Sequence, residues 1–216
     1  MSANDREAWI ARLAADAAPV KGVRLNRSAV MWLASAALTV VLAMLLIAPI
    51  RPDGLHATLE SPALLVELGM ALLASALLTL TAFSSAVPGT PRRSRLLWVS
   101  VMVWVFWSSL LVWSWFHPAL PPSMLGKRPF CWIEGPFLAL LLATTGMVFI
   151  RARLWPLRPL RIGLALGLAA GVITAEVLQV LCMYDPTHSL HSHWLPGVLA
   201  GIASGVVATL ALRPRV

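Results

Sequence analysis

Between residues 28 and 50 the chain runs for 23 residues without a single charge. About 20 apolar residues in helical conformation cross the ~30 Å hydrocarbon core of a bilayer. Five further apolar blocks follow, at residues 62–87, 96–116, 132–150, 160–181 and 194–212. An unpaired backbone amide in hydrocarbon costs several kcal/mol, so each block must be a helix that satisfies its own backbone. The predicted fold is therefore all-α, a bundle of six transmembrane helices. The breaks between blocks fall at Arg51-Pro52-Asp53-Gly54, Pro88-Gly89-Thr90-Pro91, Pro118 with Pro121-Pro122, Pro156 with Pro159, and Asp185-Pro186, where proline and glycine punctuate the chain. The chain divides into residues 1–27 and the bundle, 28–216. The N-terminal piece is too short for an independent soluble domain, which argues against a tethered soluble enzyme. No small-residue cleavage site follows a short apolar run, so the first span is expected to stay as an anchor.

Lysine and arginine set the expected orientation. Residues 1–27, the loops after the second and fourth spans, and the C-terminal tail together hold fourteen, whereas the alternate loops hold only Arg51, Lys127 and Arg128. This bias predicts that both termini are cytoplasmic. It also accounts for the +8 net charge as a topology signal, so no direct nucleic-acid partner is expected.

Glycine and tryptophan give packing cues. Gly163, Gly167 and Gly171 recur every four residues, as do Gly197, Gly201 and Gly205. Such spacing lines one side of a helix with residues that permit close backbone approach, so spans five and six are expected to pack along these stripes. Gly135, Ala139 and Ala143 form a weaker version on span four. In span three, Trp113 and Trp115 fit an interfacial belt, while Trp104 and Trp107 read as lipid-facing or core bulk.

Cys131 and Cys182 are the only cysteines, and both fall on the outer side of the expected topology. The midpoint between them lies in the turn joining spans four and five. An antiparallel hairpin with equal rise of about 1.5 Å per residue on both arms therefore brings them to one height. On a periplasmic face a disulfide is chemically allowed, provided the α-carbons lie within roughly 7 Å. All five histidines, His56, His117, His188, His191 and His193, share that side. His188, His191 and His193 are expected in one short loop with Asp185. Three readings stay open: ordinary interfacial histidines, a disulfide, or a metal site joining Cys131 or Cys182 to histidines such as His188, His191 and His193. No CxxC or HxxxH spacing is present to decide among them. Membrane insertion already confines the hairpin, so a disulfide would add little by chain entropy, which favours a switching use.

Glu67 and Glu176 lie within spans, where charge is costly. No Lys or Arg inside a span pairs with them, so Glu176 is expected to be protonated and hydrogen-bonded to a neighbouring helix. Residues 4–18 read as a short helix with Asn4 as cap, Glu7 as capping-box partner and Pro19 as stop. Trp9, Ile10, Leu13 and Ala17 form a narrow apolar stripe on it. Such a helix either lies on the inner leaflet or docks into a groove on a soluble partner; the acids Asp5, Glu7 and Asp16 weaken the first use.

Three segments are similar to a known family. WIARLAADAAPVKGVRL near the N-terminus, CWIEGPFLALLLATTGMVFIRARLWPLRP from Cys131, and LCMYDPTHSLHSHWLPG with Cys182, Asp185 and Trp194 resemble the NrsF family of membrane anti-sigma factors. The His188, His191 and His193 group is not part of that pattern. The resemblance implies a non-enzymatic inner-membrane protein that holds an extracytoplasmic-function sigma factor through its cytoplasmic N-terminal segment. Trp9, Ile10, Leu13 and Ala17 would then contact sigma. An oxidative or metal signal at Cys131 and Cys182 would shift the bundle and release it. The alternatives are a small multi-pass transporter or a metal-binding membrane protein. A quinone-linked thiol oxidoreductase would need a CxxC pair, which is absent.

Overall fold

The six apolar blocks all form helices in the computed structural model, which describes residues 3–16, 24–47, 49–87, 93–154 and 156–212. Helix α1 is Ala3–Asp16, α2 Leu25–Ile47, α3 Gly54–Glu60, α4 Pro62–Ser85, α5 Arg93–Phe116, α6 Cys131–Arg153 and α7 Pro159–Leu181. Helix α8 runs over Pro186–Ala211. Six of these eight are long and apolar enough to cross a membrane, and the described residues contain no strand. The helical ends agree with the sequence-based bounds to within a turn except in α8, which begins eight residues before the expected start at 194. Local chemistry sets several of these ends. Ser61 accepts the Leu64 N–H ahead of α4 and Pro62 occupies its first turn, where a missing N–H costs nothing.

Helix α7 is the central post. It is the most enclosed of the long helices and packs against α8, α4, α6 and α2. Its glycine stripe meets that of α8 as expected. A Cβ at Gly171 would lie 2.7 Å from the carbonyl oxygen of Gly197, and one at Gly167 would lie 2.6 Å from the Ser204 Cβ and 2.8 Å from the Gly201 Cα. At Gly163 it would collide with the Ser204 carbonyl oxygen. The backbones can approach this closely only because the side chains are missing. On α6, Gly135, Ala139 and Ala143 are all buried, and Gly135 seats Leu178 of α7.

Tryptophan divides between core and surface. Trp107 is buried in the core, Trp104 stacks on Trp194 with centroids 6.5 Å apart, and Trp113 and Trp115 are exposed. Both intramembrane acids are buried between helices. Glu67 of α4 accepts a hydrogen bond from Gln179 of α7. Glu176 lies near Glu67 and Trp107, and its Oε2 has no hydrogen-bond partner among the described residues. Glu176 thus meets the Trp107 side chain of α5, and a second contact of this kind between helices is made at Glu67.

Helix α1 differs from the rest, because its residues 5–15 are all exposed. The Asn4 side chain, Ala17 and Pro19 lie outside the described residues.

Replacing Gly171 with alanine should force α7 and α8 apart. Overpacking of this kind costs about 1–3 kcal/mol, so the purified protein in detergent should unfold at a lower temperature. Gly69→Ala, where nothing lies within 4 Å of the added carbon, should leave the transition in place. Equal transitions for the two variants would contradict the close-packing assignment.

Candidate functional site

Cys131 opens α6 and Cys182 directly follows the last residue of α7. Two antiparallel helices of equal length, joined by a short turn, place those positions side by side. Both thiols are free and buried. The two sulfurs and one ring nitrogen each from His188 and His193 all lie within 4.8 Å of one another. His188 Nε2 is 3.1 Å from the Cys131 sulfur and 3.6 Å from that of Cys182. The two imidazoles meet edge to face at 4.9 Å.

The backbone of α8 is what delivers both histidines to the thiols. Asp185 accepts the Thr187 N–H at 3.0 Å and Pro186 takes the first helical position, so the helix starts here. The histidines therefore sit in helical turns and not in the loop that was expected. In an α-helix, residues five apart are separated by about 140° around the axis, so His188 and His193 would point in different directions. Residues Ser189–Trp194 are π-helical instead, with the Leu195 N–H bonded to the Leu190 carbonyl. Bonding from i to i+5 widens the turn and brings residues five apart towards one side. Pro196 provides a physical reason: it has no N–H for the carbonyl of residue 192, and its ring crowds that carbonyl. As a result His193 is only 3% exposed and lies against the Cys182 thiol, and neither of its ring nitrogens is in a well-formed hydrogen bond among the described residues.

The other sequence-predicted ligands go elsewhere. His191 is exposed and its Nδ1 donates to the Thr187 carbonyl at 2.9 Å, so it is not part of the cluster. His56 pairs with Glu60 at 3.2 Å on the surface, and His117 stacks on Trp113. Four of the seven sulfur and imidazole groups converge. Hydrogen bonding from Cys131, and then the nearby His188 and His193 rings, pull the Cys182 thiol below its ordinary range.

Arg128 was not expected at this site. Counted from the sequence as a loop charge, it is 1% exposed. Its Nε donates to Glu134 at 3.1 Å and its Nη1 donates to the carbonyl of Met44, in the last turn of α2, at 3.1 Å. Glu134 lies one turn beyond Cys131 on α6, so the thiol cluster, the ion pair and the end of α2 form a continuous chain of contacts. The loop before α6 is folded inward to make this possible. Gly126 adopts a left-handed φ of 76° against Arg51, where a Cβ would lie 2.6 Å from the Arg51 nitrogen. Ser123 N–H donates to the Tyr184 carbonyl at 2.8 Å, and the Ala119 N–H donates to the Tyr184 hydroxyl at 2.9 Å. The Arg51 guanidinium stands 5.7 Å from the Tyr184 ring and binds Asp53, holding that carboxyl below its usual range. Burial pushes the Tyr184 phenol up.

Glu134→Ala would leave Arg128 buried without its counter-charge. Breaking a buried pair from one side costs about 3–5 kcal/mol, so the melting temperature of the purified full chain should fall clearly. The double variant Arg128→Met/Glu134→Leu should recover most of that loss. A Glu134→Ala protein as stable as the parent would contradict the pairing.

The family model NrsF, described as negative regulator of sigma F, matches residues 13–213. The match starts within α1 and takes in all six long apolar helices, both cysteines and both clustered histidines. No curated protein and no solved structure matches the chain. By that match over nearly its whole length, the chain belongs to the NrsF family of negative regulators of sigma F.

Proposed function

We propose that the protein is a bacterial inner-membrane anti-sigma factor. Its N-terminal helix holds an extracytoplasmic-function sigma factor at the cytoplasmic face, away from RNA polymerase, and a redox or metal signal at Cys131 and Cys182 on the opposite face releases it. The observation that carries this reading is α1. Trp9, Ile10 and Leu13 are 62%, 58% and 55% exposed on a helix whose described side chains are not buried in the bundle. An amphipathic helix with large apolar residues at i, i+1 and i+4 suits insertion into a protein groove. Ala17 belongs to the same stripe by sequence. The charge bias, fourteen cations against three, supports cytoplasmic termini.

The route from signal to sigma runs through the contacts described above. A change at Cys131 moves the first turn of α6, and Glu134 in that turn holds Arg128. Arg128 grips the last turn of α2, whose other end leads to α1. Helix α2 has 23 residues, and at about 1.5 Å per residue it extends ~34 Å, enough to cross the membrane. A ligand or modification shifts such an equilibrium only by its differential affinity for the two states. Taking sigma from 1% to 99% free requires about 5.5 kcal/mol, several times the worth of one ordinary hydrogen bond. The signal must therefore rearrange the cluster and the ion pair together. The protein acts as a regulator and not as an enzyme.

Leu13→Glu in the full chain should raise transcription from a sigma-dependent reporter to near the level of a strain lacking the protein, with membrane amounts unchanged by immunoblot. Repression equal to that of the parent would remove α1 from the account. Cys131→Ser/Cys182→Ser should still repress but no longer respond to thiol oxidants or thiophilic metals. A normal response in that variant would remove the sensing role.

A further inference from the structure

The NrsF assignment and the sensing role proposed for the two cysteines leave His188 and His193 without a task. His193 is the sharper problem. Its ring is buried in the bundle, its polar neighbour is the Cys182 thiol, and neither nitrogen is in a well-formed hydrogen bond among the described residues. An unsatisfied buried polar group costs about 1–3 kcal/mol, and the lone pair of a neutral imidazole nitrogen facing two sulfurs is suited to an electron-pair acceptor such as a metal ion. Two sulfurs and a second imidazole lie within 4.8 Å of its ligand nitrogen.

We propose that Cys131, Cys182, His188 and His193 form a tetrahedral site for a zinc-class divalent cation. Zinc bonds of about 2.3 Å to sulfur and 2.0–2.1 Å to nitrogen set the separations that a tetrahedron requires. They come to about 3.8 Å between sulfurs and about 3.6 Å between sulfur and nitrogen. The distances from His188 Nε2 to the two sulfurs, 3.1 and 3.6 Å, already fall near the second value. The remaining ligand atoms lie within 4.8 Å of one another, so contraction by side-chain rotation brings them round such a centre. The ligand set is two thiolates and two neutral imidazoles, a combination that favours zinc over calcium or magnesium.

Charge balances as well. Both cysteines bind as thiolates, with the thiol protons they still carry released to solvent, and the two thiolates neutralise the dication. The centre is then electrically neutral, which a buried site at a membrane boundary requires. The Arg128–Glu134 pair beside it is neutral too, so the metal centre and its neighbouring ion pair together carry no net charge. All four coordination positions are filled by the protein, the pattern of a structural or sensing site and not of a catalytic one, which keeps a position open. Three ligands lie in or beside the short stretch from 182 to 193, and the fourth starts α6. The ion would therefore tie α6 to the α7–α8 connection, beside the residue pair that grips α2. This deepens the sensing role proposed for the cysteines. It rests on the cluster geometry and not on sigma binding.

The test is metal content and spectrum of the full chain purified in detergent under reducing conditions. Zinc should be retained at one equivalent after dialysis. Cobalt substituted for it should show the intense visible bands of a tetrahedral centre with thiolate ligands. His193→Ala and His188→Ala should each weaken zinc binding at least about tenfold, since loss even of outer-shell partners costs 10–100-fold. His193→Cys should restore binding, with added thiolate-to-cobalt absorption. His191→Ala and Leu13→Glu should bind as the parent does, which separates failure of this site from failure of sigma docking. Zinc lost on dialysis, an octahedral cobalt spectrum, or parental affinity in His193→Ala would each overturn the proposal.

Discussion

The close approach of α7 and α8 is the constraint on which the rest of the molecule depends. Lipid offers no hydrophobic drive between helices, so association must come from packing and polar contacts. Glycines on both helices let the Gly171 and Gly197 backbones touch, and α7 then has a side free for α6 and another for α4. That arrangement fixes where the ends of α6 and α7 and the start of α8 must meet. Cys131, Cys182, His188 and His193 sit at those three ends. The cluster is a consequence of helix packing and needs no elaborate loop to hold it.

Two departures from ideal helical geometry turn that meeting point into a site. The π-helical turn Ser189–Trp194 rotates His193 inward beside His188, and the left-handed Gly126 folds the preceding loop so that Arg128 enters the bundle. Each departure has a local cause, Pro196 in the first case and the absence of a side chain in the second. Together they join a sulfur and imidazole cluster to an ion pair and, through it, to the end of α2. In the proposed function, a change at the cysteines reaches the helix that leads to α1 through this pair.

Much of this was legible in the sequence because hydrocarbon leaves the backbone few choices. Apolar blocks of about 20 residues must be helices, and the Gly163/Gly167/Gly171 and Gly197/Gly201/Gly205 stripes announce which helices touch. The meeting of Cys131 and Cys182 followed from hairpin symmetry alone. What the sequence concealed depends on rotation about a helix axis. Simple α-periodicity separates His188 from His193, and only the widened turn reverses this. A proline eight residues after His188 was the available signal. His191 looked equivalent to its neighbours, yet it faces outward and bonds to the Thr187 carbonyl. Arg128 read as a surface charge because its partners, Glu134 and the Met44 carbonyl, come from another helix and from 84 residues away.

Release of a sigma factor by a signal at the cysteines requires that the cysteine cluster and the N-terminal helix be energetically coupled through the bundle. The most direct measurement is the affinity of the sigma factor for the full chain in lipid nanodiscs, first with Cys131 and Cys182 reduced and then with them bridged by a mild disulfide-forming oxidant. Coupling sufficient for a switch predicts an affinity loss approaching ~10⁴-fold, abolished in Cys131→Ser/Cys182→Ser. Equal affinity in the two states would contradict it.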